Sequence, residues 1–302
     1  MKPEVTIGLC LHNSENTIAK AIQSICDQDY PHEKMQVFFV DDGSTDQTLK
    51  MVQAYISKMD IQTKVFKTEW RGLGFARNLI VENADGKYIM WVDADEVLTP
   101  RYTRKQVDFM EKNADVGITA GIFGLVQGNL VLNLELLPAI VNHVFFDKPP
   151  NFLWKTRKVI GTGGTTFRTN VLRRVNGFNS QFKGAGEDVD VATRIRNLGW
   201  LIKLNDGVFY EFHNGMSTFT DLLKKYYWYG YGCQQLYVEN RDAFSLLRMT
   251  PIPSFVAGFL FSLEAYKLFH KKLFFLLPIH YGFKMIGWTF GFMYHQIKSW
   301  IL

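Results

Sequence analysis

Cysteine is scarce in this chain. Cys10, Cys26 and Cys233 are odd in number and lack the paired spacing of a metal site. They exclude a disulfide framework and read as reduced thiols in a cytosolic setting. Charge of one sign is scarce too: a net charge of +5 over 302 residues excludes a dedicated nucleic-acid binder. No leader is expected, because Met1-Lys2-Pro3-Glu4 is too short and too polar for a signal peptide. Aromatic residues, by contrast, reach 15% and concentrate late in the chain. The length suits one large α/β domain with an appendage.

The most informative stretch is Tyr88-Ile89-Met90-Trp91-Val92-Asp93-Ala94-Asp95. β-Branched and aromatic residues predict a buried strand, and the paired acids fall at its end. Like charges this close must be screened, protonated or held by a cation. Hard divalent ions are held by one or two carboxylates together with substrate phosphates. A strand-end metal site acting on a phosphorylated substrate is therefore the first expectation.

The preceding chain alternates strands and helices. Val5 to Leu11 is an apolar strand, broken by His12-Asn13-Ser14. Ile18, Ala21, Ile22 and Ile25 lie at i, i+3, i+4 and i+7, the spacing of an amphipathic helix. Gln36 to Val40 is a second strand, followed by Asp41-Asp42-Gly43-Ser44-Thr45-Asp46, in which Ser44 to Gln47 fits a capping box. Thr63 to Lys67 reads as a weaker strand and Gly74 to Asn83 as a helix. Such alternation predicts parallel pairing, with ligands beyond the carboxyl ends of the strands. His12, Asp42 and Asp93 all fall there. His12 and Asn13 serve equally well as turn residues, and the second acidic pair could cap a helix. Arg71-Gly72-Leu73-Gly74-Phe75-Ala76-Arg77-Asn78 adds arginines that match phosphate geometry and glycines that admit close backbone approach.

These motifs, taken in order, resemble family 2 glycosyltransferases with a GT-A fold, a Rossmann-like, mostly parallel mixed sheet flanked by helices. The likeness continues through Gly163-Gly164, Phe167-Arg168, Gly177-Phe178, Gly186-Glu187-Asp188 and His213, over roughly the first three quarters of the chain. It implies a nucleotide-diphosphate sugar donor, a divalent cation (Mn²⁺ or Mg²⁺) and transfer with inversion. By the resemblance Asp95 coordinates the metal, Asp93 orients the ribose or the metal's waters, and His213 is a further ligand. Asp42 contacts the nucleobase, His12 lies against it and Arg77 contacts the nucleotide. Asn13, Glu15, Gly74, Ala94, Gly163 and Gly164 complete the donor side. Cys10-Leu11-His12 departs from the family's usual first loop, which leaves UDP- and GDP-linked donors both open.

On the acceptor side, Asp188 is the expected general base, with Glu187 in reserve. The same acids open a helix whose apolar positions are Val191, Ala192, Ile195 and Leu198, ended by Gly199. The two readings are compatible, since a helix start can hold a base.

The expected division is a catalytic domain over residues 1–217 and a helical region over 218–302. Pro251 to Leu263 and Leu273 to Tyr294 are largely apolar, but Pro278, His280 and Lys284 interrupt the second run. A spanning helix, an interfacial hairpin and a soluble helical subdomain all fit. Aromatics interleaved with lysines favour a membrane surface, and with it a lipid-linked glycan acceptor at the cytoplasmic face. The Gln-x-x-Arg-Trp motif of processive synthases is missing from Lys224 to Gly232, which favours single-sugar transfer. A polyprenyl-phosphate sugar synthase and a non-catalytic nucleotide-sugar-binding module are the alternatives.

Overall fold

The computed structural model describes residues 2–124, 130–145, 161–182, 185–211, 218–239, 241 and 244–301. Its strands are β1 (Val5–Leu11), β2 (Met35–Asp42), β3 (Gln62–Thr68), β4 (Tyr88–Trp91), β5 (Glu96–Leu98), β6 (Val116–Gly124), β7 (Thr165–Arg168) and β8 (Leu201–Glu211). They form one sheet in the order β3-β2-β1-β4-β7-β6-β8-β5. β1 pairs in parallel with β2 and β4, β2 with β3, and β6 with β8. The β4–β7, β6–β7 and β5–β8 pairs are antiparallel. The sheet is thus mixed and mostly parallel, as expected.

Helices α1 (Ile18–Cys26), α2 (Thr48–Ile56), α3 (Leu73–Asn83), α4 (Tyr102–Lys112), α6 (Thr169–Arg174) and α7 (Glu187–Asn197) accompany these strands. A fifth helix in chain order, α5 (Leu130–Phe145), lies between β6 and β7 in sequence, and α8 (Phe219–Glu239), α9 (Pro251–Phe269) and α10 (Leu277–Ile301) follow the sheet. The chain forms two compact units. One comprises the sheet with α1–α4, α6 and α7; the other comprises α5 with α8–α10.

The first unit's core follows from alternation of side chains along a buried strand. Val5, Ile7, Leu9 and Leu11 of β1 pack with Ile18, Ala21, Ile22 and Ile25 of α1, the four positions the helical period picks out. Two local expectations fail. α2 starts at Thr48, so Ser44 is not its cap; instead Asp46 Oδ1 accepts from the Thr48 N–H at 2.9 Å. Leu198 is exposed because α7 has already ended at Asn197.

The second unit is built around a largely enclosed carboxylate. Glu135 of α5 accepts hydrogen bonds from the Tyr226 hydroxyl (2.5 Å) of α8, and from His280 Nε2 (2.9 Å) and Lys284 Nζ (2.8 Å) of α10. Burial alone would raise its pKa, but Lys284 and His280 outweigh that and hold it well below the glutamate range. The two polar interruptions of the late apolar run are therefore turned inward onto Glu135. Beside them, Leu134, Leu137, Phe261, Ala265, Phe274 and Leu277 form an apolar core. No helix among the described residues is long and apolar enough to cross a membrane, so a spanning helix does not describe α9 or α10.

Candidate active site

The strand-end acids are positioned by a residue with no role in the sequence reading, Glu96. It is buried, and its Oε2 accepts from the Asp93 N–H and the Gly164 N–H, each at 3.0 Å. Two separate turns, Asp93-Ala94-Asp95 and Gly163-Gly164, are thereby tied together. Tyr102 holds the second turn further: its hydroxyl donates to the Gly164 carbonyl and accepts from the Gly121 N–H. Gly164 has a φ of +59° and Gly163 has no room for a side chain. A Cβ on Gly163 would lie 2.1 Å from Glu96 Oε1 and 3.2 Å from Asp93 Oδ2. Backbone thus passes directly beside the Asp93 carboxylate.

The same loop leads to the acceptor-side acid. A Cβ on Gly161 would lie 3.4 Å from Asp188 Oδ2, so residues 161–163 run from Asp188 to Asp93. Asp188 Oδ1 accepts from the Val189 N–H at 2.7 Å, at the first turn of α7. Arg77 of α3 joins the two sides. Its Nη1 is 2.6 Å from Glu187 Oε1, and its Nη2 is 4.0 Å from Asp93 Oδ1. The guanidinium lies 5.8 Å from the Trp91 ring centroid and 5.3 Å from that of Phe178.

Among the described residues, acids outnumber cations here. Arg77 and Glu187 are both buried, and Asp188 sits against the same cation. Burial and the neighbouring Asp188 charge push Glu187 up to about 7, against the pull of Arg77. Burial also raises Asp188, again opposed by Arg77. Cys10, at the end of β1, belongs to this surrounding: burial pushes its thiol up to about 12, with Arg77 opposing and Asp93, Asp42 and Glu187 assisting. It is a neutral wall of the site.

The first two loops are clamped to each other. His12 Nδ1 lies 2.8 Å from the Asp42 carbonyl oxygen. The Asn13 carbonyl oxygen of the side chain accepts from the Thr45 N–H at 2.8 Å, and Glu15 Oε2 accepts from the Gln47 N–H at 2.9 Å. Asp42 Oδ1 accepts from Thr68 Oγ1 and the Arg71 N–H, and its Oδ2 from the Gly72 N–H. Asp42 therefore shapes the Arg71-Gly72 turn, where Gly72 has a φ of +95°. Its neighbour Asp41 is buried, and Asp41 Oδ2 has no hydrogen-bond partner among the described residues. A buried acceptor of this kind is an unmet demand for a donor. Gly74 is a packing glycine: a Cβ there would lie 2.8 Å from the Asn179 carbonyl oxygen.

The structure thus brings together Arg77, Asp93, Gly163, Gly164, Glu187 and Asp188. His12, Asn13, Glu15 and Asp42 form the adjoining loop clamp, and His213 lies outside the described residues. No group of three metal-ligating side chains converges among the described residues. Asp93 and Asp95 remain two hard oxygen donors on one turn, the donor set suited to an ion completed by phosphate oxygens. Glu96 and Cys10 were missed by sequence reasoning. Glu96 reads as a third acid of the turn, and only the pairing of β5 with β8 turns it inward.

Residues 6–175 match the sequence profile of Glycosyl transferase family 2. The putative glycosyltransferase EpsE of Bacillus subtilis is 32% identical over 200 residues, 66% of this chain and 68% of that protein. The poly(ribitol-phosphate) beta-N-acetylglucosaminyltransferase TarS of Staphylococcus aureus is 31% identical over 102 residues, 34% of this chain. That match spans only 18% of TarS. Among solved structures, the mannosyltransferase PcManGT from Pyrobaculum calidifontis, in complex with GDP-Man and Mn²⁺, superposes with a TM-score of 0.68 at 18% identity. It covers 97% of this chain and 88% of that one. TarS residues 1–349 with UDP give 0.52 at 16% identity, covering 98% and 92%. At such identities the superpositions establish a shared GT-A fold.

Proposed function

The chain belongs to glycosyl transferase family 2, and from that premise we propose that it moves one sugar from a nucleotide-diphosphate sugar to an acceptor hydroxyl, with inversion. The observation that carries the reading is the loop 161–164, which runs from Asp188 Oδ2 at one end to Asp93 at the other. A displacement needs a base on one side of the anomeric carbon and the departing diphosphate on the other. The two acids beside this loop supply those sides.

Asp93 and Asp95 fit a hard cation, Mn²⁺ or Mg²⁺, which when bound would stabilise charge on the leaving diphosphate. By family resemblance His213 would complete that set. The chain's own residues do the rest. Glu96 and the glycine turn hold the Asp93 carboxylate in place. Arg77, fixed between Glu187 and the rings of Trp91 and Phe178, sets the start of α7 relative to β4. Asp188 Oδ1 is committed to the Val189 N–H, so Oδ2 takes the acceptor's proton. The bond from the anomeric carbon to the diphosphate oxygen breaks as the bond to the acceptor oxygen forms, and nucleoside diphosphate leaves. Asp41 Oδ2 and Asp42 lie at the end of β2, where the base of the nucleotide would seat.

The acceptor is a hydroxyl on a lipid-linked saccharide, presented at the cytoplasmic face of the cell membrane. The lysines and aromatics of the C-terminal helices support that placement. A phosphate acceptor, as in polyprenyl-phosphate sugar synthesis, is already ionised and would meet two carboxylates at Glu187 and Asp188, so a hydroxyl is preferred. Nucleoside diphosphate release from a panel of UDP- and GDP-linked sugars, with and without Mn²⁺ or Mg²⁺, tests the reading. A metal-dependent thermal shift with one nucleoside diphosphate is expected. No metal-dependent shift with any of them would overturn it, and full turnover by Asp188→Asn would reassign the acceptor to a phosphate.

A further inference from the structure

α9 and α10 expose apolar stripes rather than scattered residues. On α9 the exposed large side chains are Ile252, Phe255, Val256, Phe259 and Leu263, at i, i+3, i+4, i+7 and i+11. On α10 they are Ile279, Ile286, Phe290, Met293, Ile297 and Trp300, also one face of a helix. Exposure is high: Ile252 is 79% exposed, Phe290 64% and Trp300 78%.

The helices run antiparallel, since Gly258 packs on Pro278 while Gly282 packs on Phe255 and Pro251. At about 100° per residue, each stripe lies roughly a quarter turn from the side that faces the other helix, in the same rotational sense. For an antiparallel pair this puts both stripes on one face. An amphipathic pair normally turns its apolar side inward; here an inner core of Phe261, Ala265, Phe274 and Leu277 already exists, and this is a second apolar surface.

The surroundings of the face identify its occupant. From residue 251 onward the chain carries five lysines and one acid, Glu264. Lys284 is buried on Glu135, but Lys267, Lys271, Lys272 and Lys298 are exposed, three of them at the turn between the helices. That turn also exposes Phe275 and Leu276. Beside the α10 stripe lie aromatic rings with polar tips: Tyr294 is 54% exposed and packs 6.1 Å from Tyr227, next to the exposed Trp228. A second copy would bring lysine against lysine. An apolar face rimmed by cations and amphipathic aromatics is complementary to an anionic lipid surface.

We propose that the α9–α10 face docks in the interfacial plane of an anionic bilayer, without spanning it. The proposal deepens the lipid-linked reading by naming the surface, and vesicle binding is measured without donor or acceptor, so the two can fail separately.

The full chain is floated with phosphatidylcholine vesicles containing or lacking phosphatidylglycerol. Binding to the anionic vesicles is expected, at least tenfold weaker for Phe259→Glu/Phe290→Glu. Lys271→Glu/Lys272→Glu should abolish the preference for anionic over neutral vesicles. Circular dichroism checks the fold of each variant. In the wild type, brominated acyl chains should quench tryptophan fluorescence, and Trp300→Phe should lose part of that quenching. Absence of flotation with either vesicle, or flotation indifferent to the phenylalanine changes, overturns the proposal. So does a dimer in solution that those changes dissociate in a chain that does not bind vesicles.

Discussion

Among the described residues each unit holds an ionic cluster that is largely withdrawn from solvent, and the two are balanced in opposite ways. In the helical unit a single carboxylate, Glu135, meets Lys284, His280 and the Tyr226 hydroxyl. In the sheet unit, among the described residues, one cation, Arg77, faces Glu187, Asp188 and Asp93. The first cluster satisfies its acid and stabilises its charge. In the second, burial raises both Glu187 and Asp188 against the pull of Arg77. A carboxylate held ionised by its donors ties helices together; carboxyls raised by burial are suited to proton transfer.

The comparison can be broken at four points. The largest effect should be Asp188→Asn, which keeps the shape of α7 and removes the base; steady-state turnover should fall about 10²–10⁴-fold with a thermal midpoint at neutral pH that does not fall, since a charge disfavoured by burial is removed. Next is Glu135→Ala, which leaves the Lys284 cation buried without its carboxylate and should cost about 3–5 kcal/mol in denaturant unfolding. The conservative Glu135→Gln should show a penalty that is constant from neutral pH down to the ordinary glutamate range. Below it the penalty should shrink, because a depressed folded pKa contributes stability above the unfolded value and loses it as pH falls.

Glu187→Gln should show the opposite slope. Glu187 is pushed from 4.5 to about 7, so the unfolded state gives up its proton first as pH rises. The wild type should therefore lose stability as pH rises from the ordinary glutamate range toward neutrality, and the variant should gain on it over that span. A flat difference across that range would remove the distinction between the clusters. The smallest effect belongs to Gly163→Ala, which must displace Glu96 or Asp93. It should cost about 1–3 kcal/mol and weaken nucleoside diphosphate binding by calorimetry while Asp188 stays in place.

Much of the sheet unit was legible because its signals are local. β1, α1 and α3 lie where period and turn residues place them, and the acids at the ends of β2 and β4 stand out against apolar strands. Arg77 and Glu187 could be named singly but not joined, because their contact spans 110 positions of sequence. Glu96 was illegible for a different reason: a third acid in a turn carries no mark of which way it faces. The Asp41–Asp42 pair shows the same limit: both carboxylate oxygens of Asp42 find donors, while among the described residues only Oδ1 of Asp41 does. In the late apolar run, His280 and Lys284 looked like defects in a hydrophobic segment. Their partner, Glu135, is 145 and 149 positions away, on a helix that Pro138 disguised.

That helix makes the two units inseparable by any single cut. α5 leaves the sheet unit between β6 and β7 and folds with α8–α10, after which the chain returns to complete the sheet. A chain ending at residue 217 would retain α5 with Glu135 stripped of Tyr226, His280 and Lys284, an apolar helix carrying an orphaned acid. Recombination between relatives meets the same obstacle: an exchange of the last third alone would pair one parent's Glu135 with another parent's helices. The C-terminal helices and the α5 insertion must therefore be inherited together, as one unit encoded in two places.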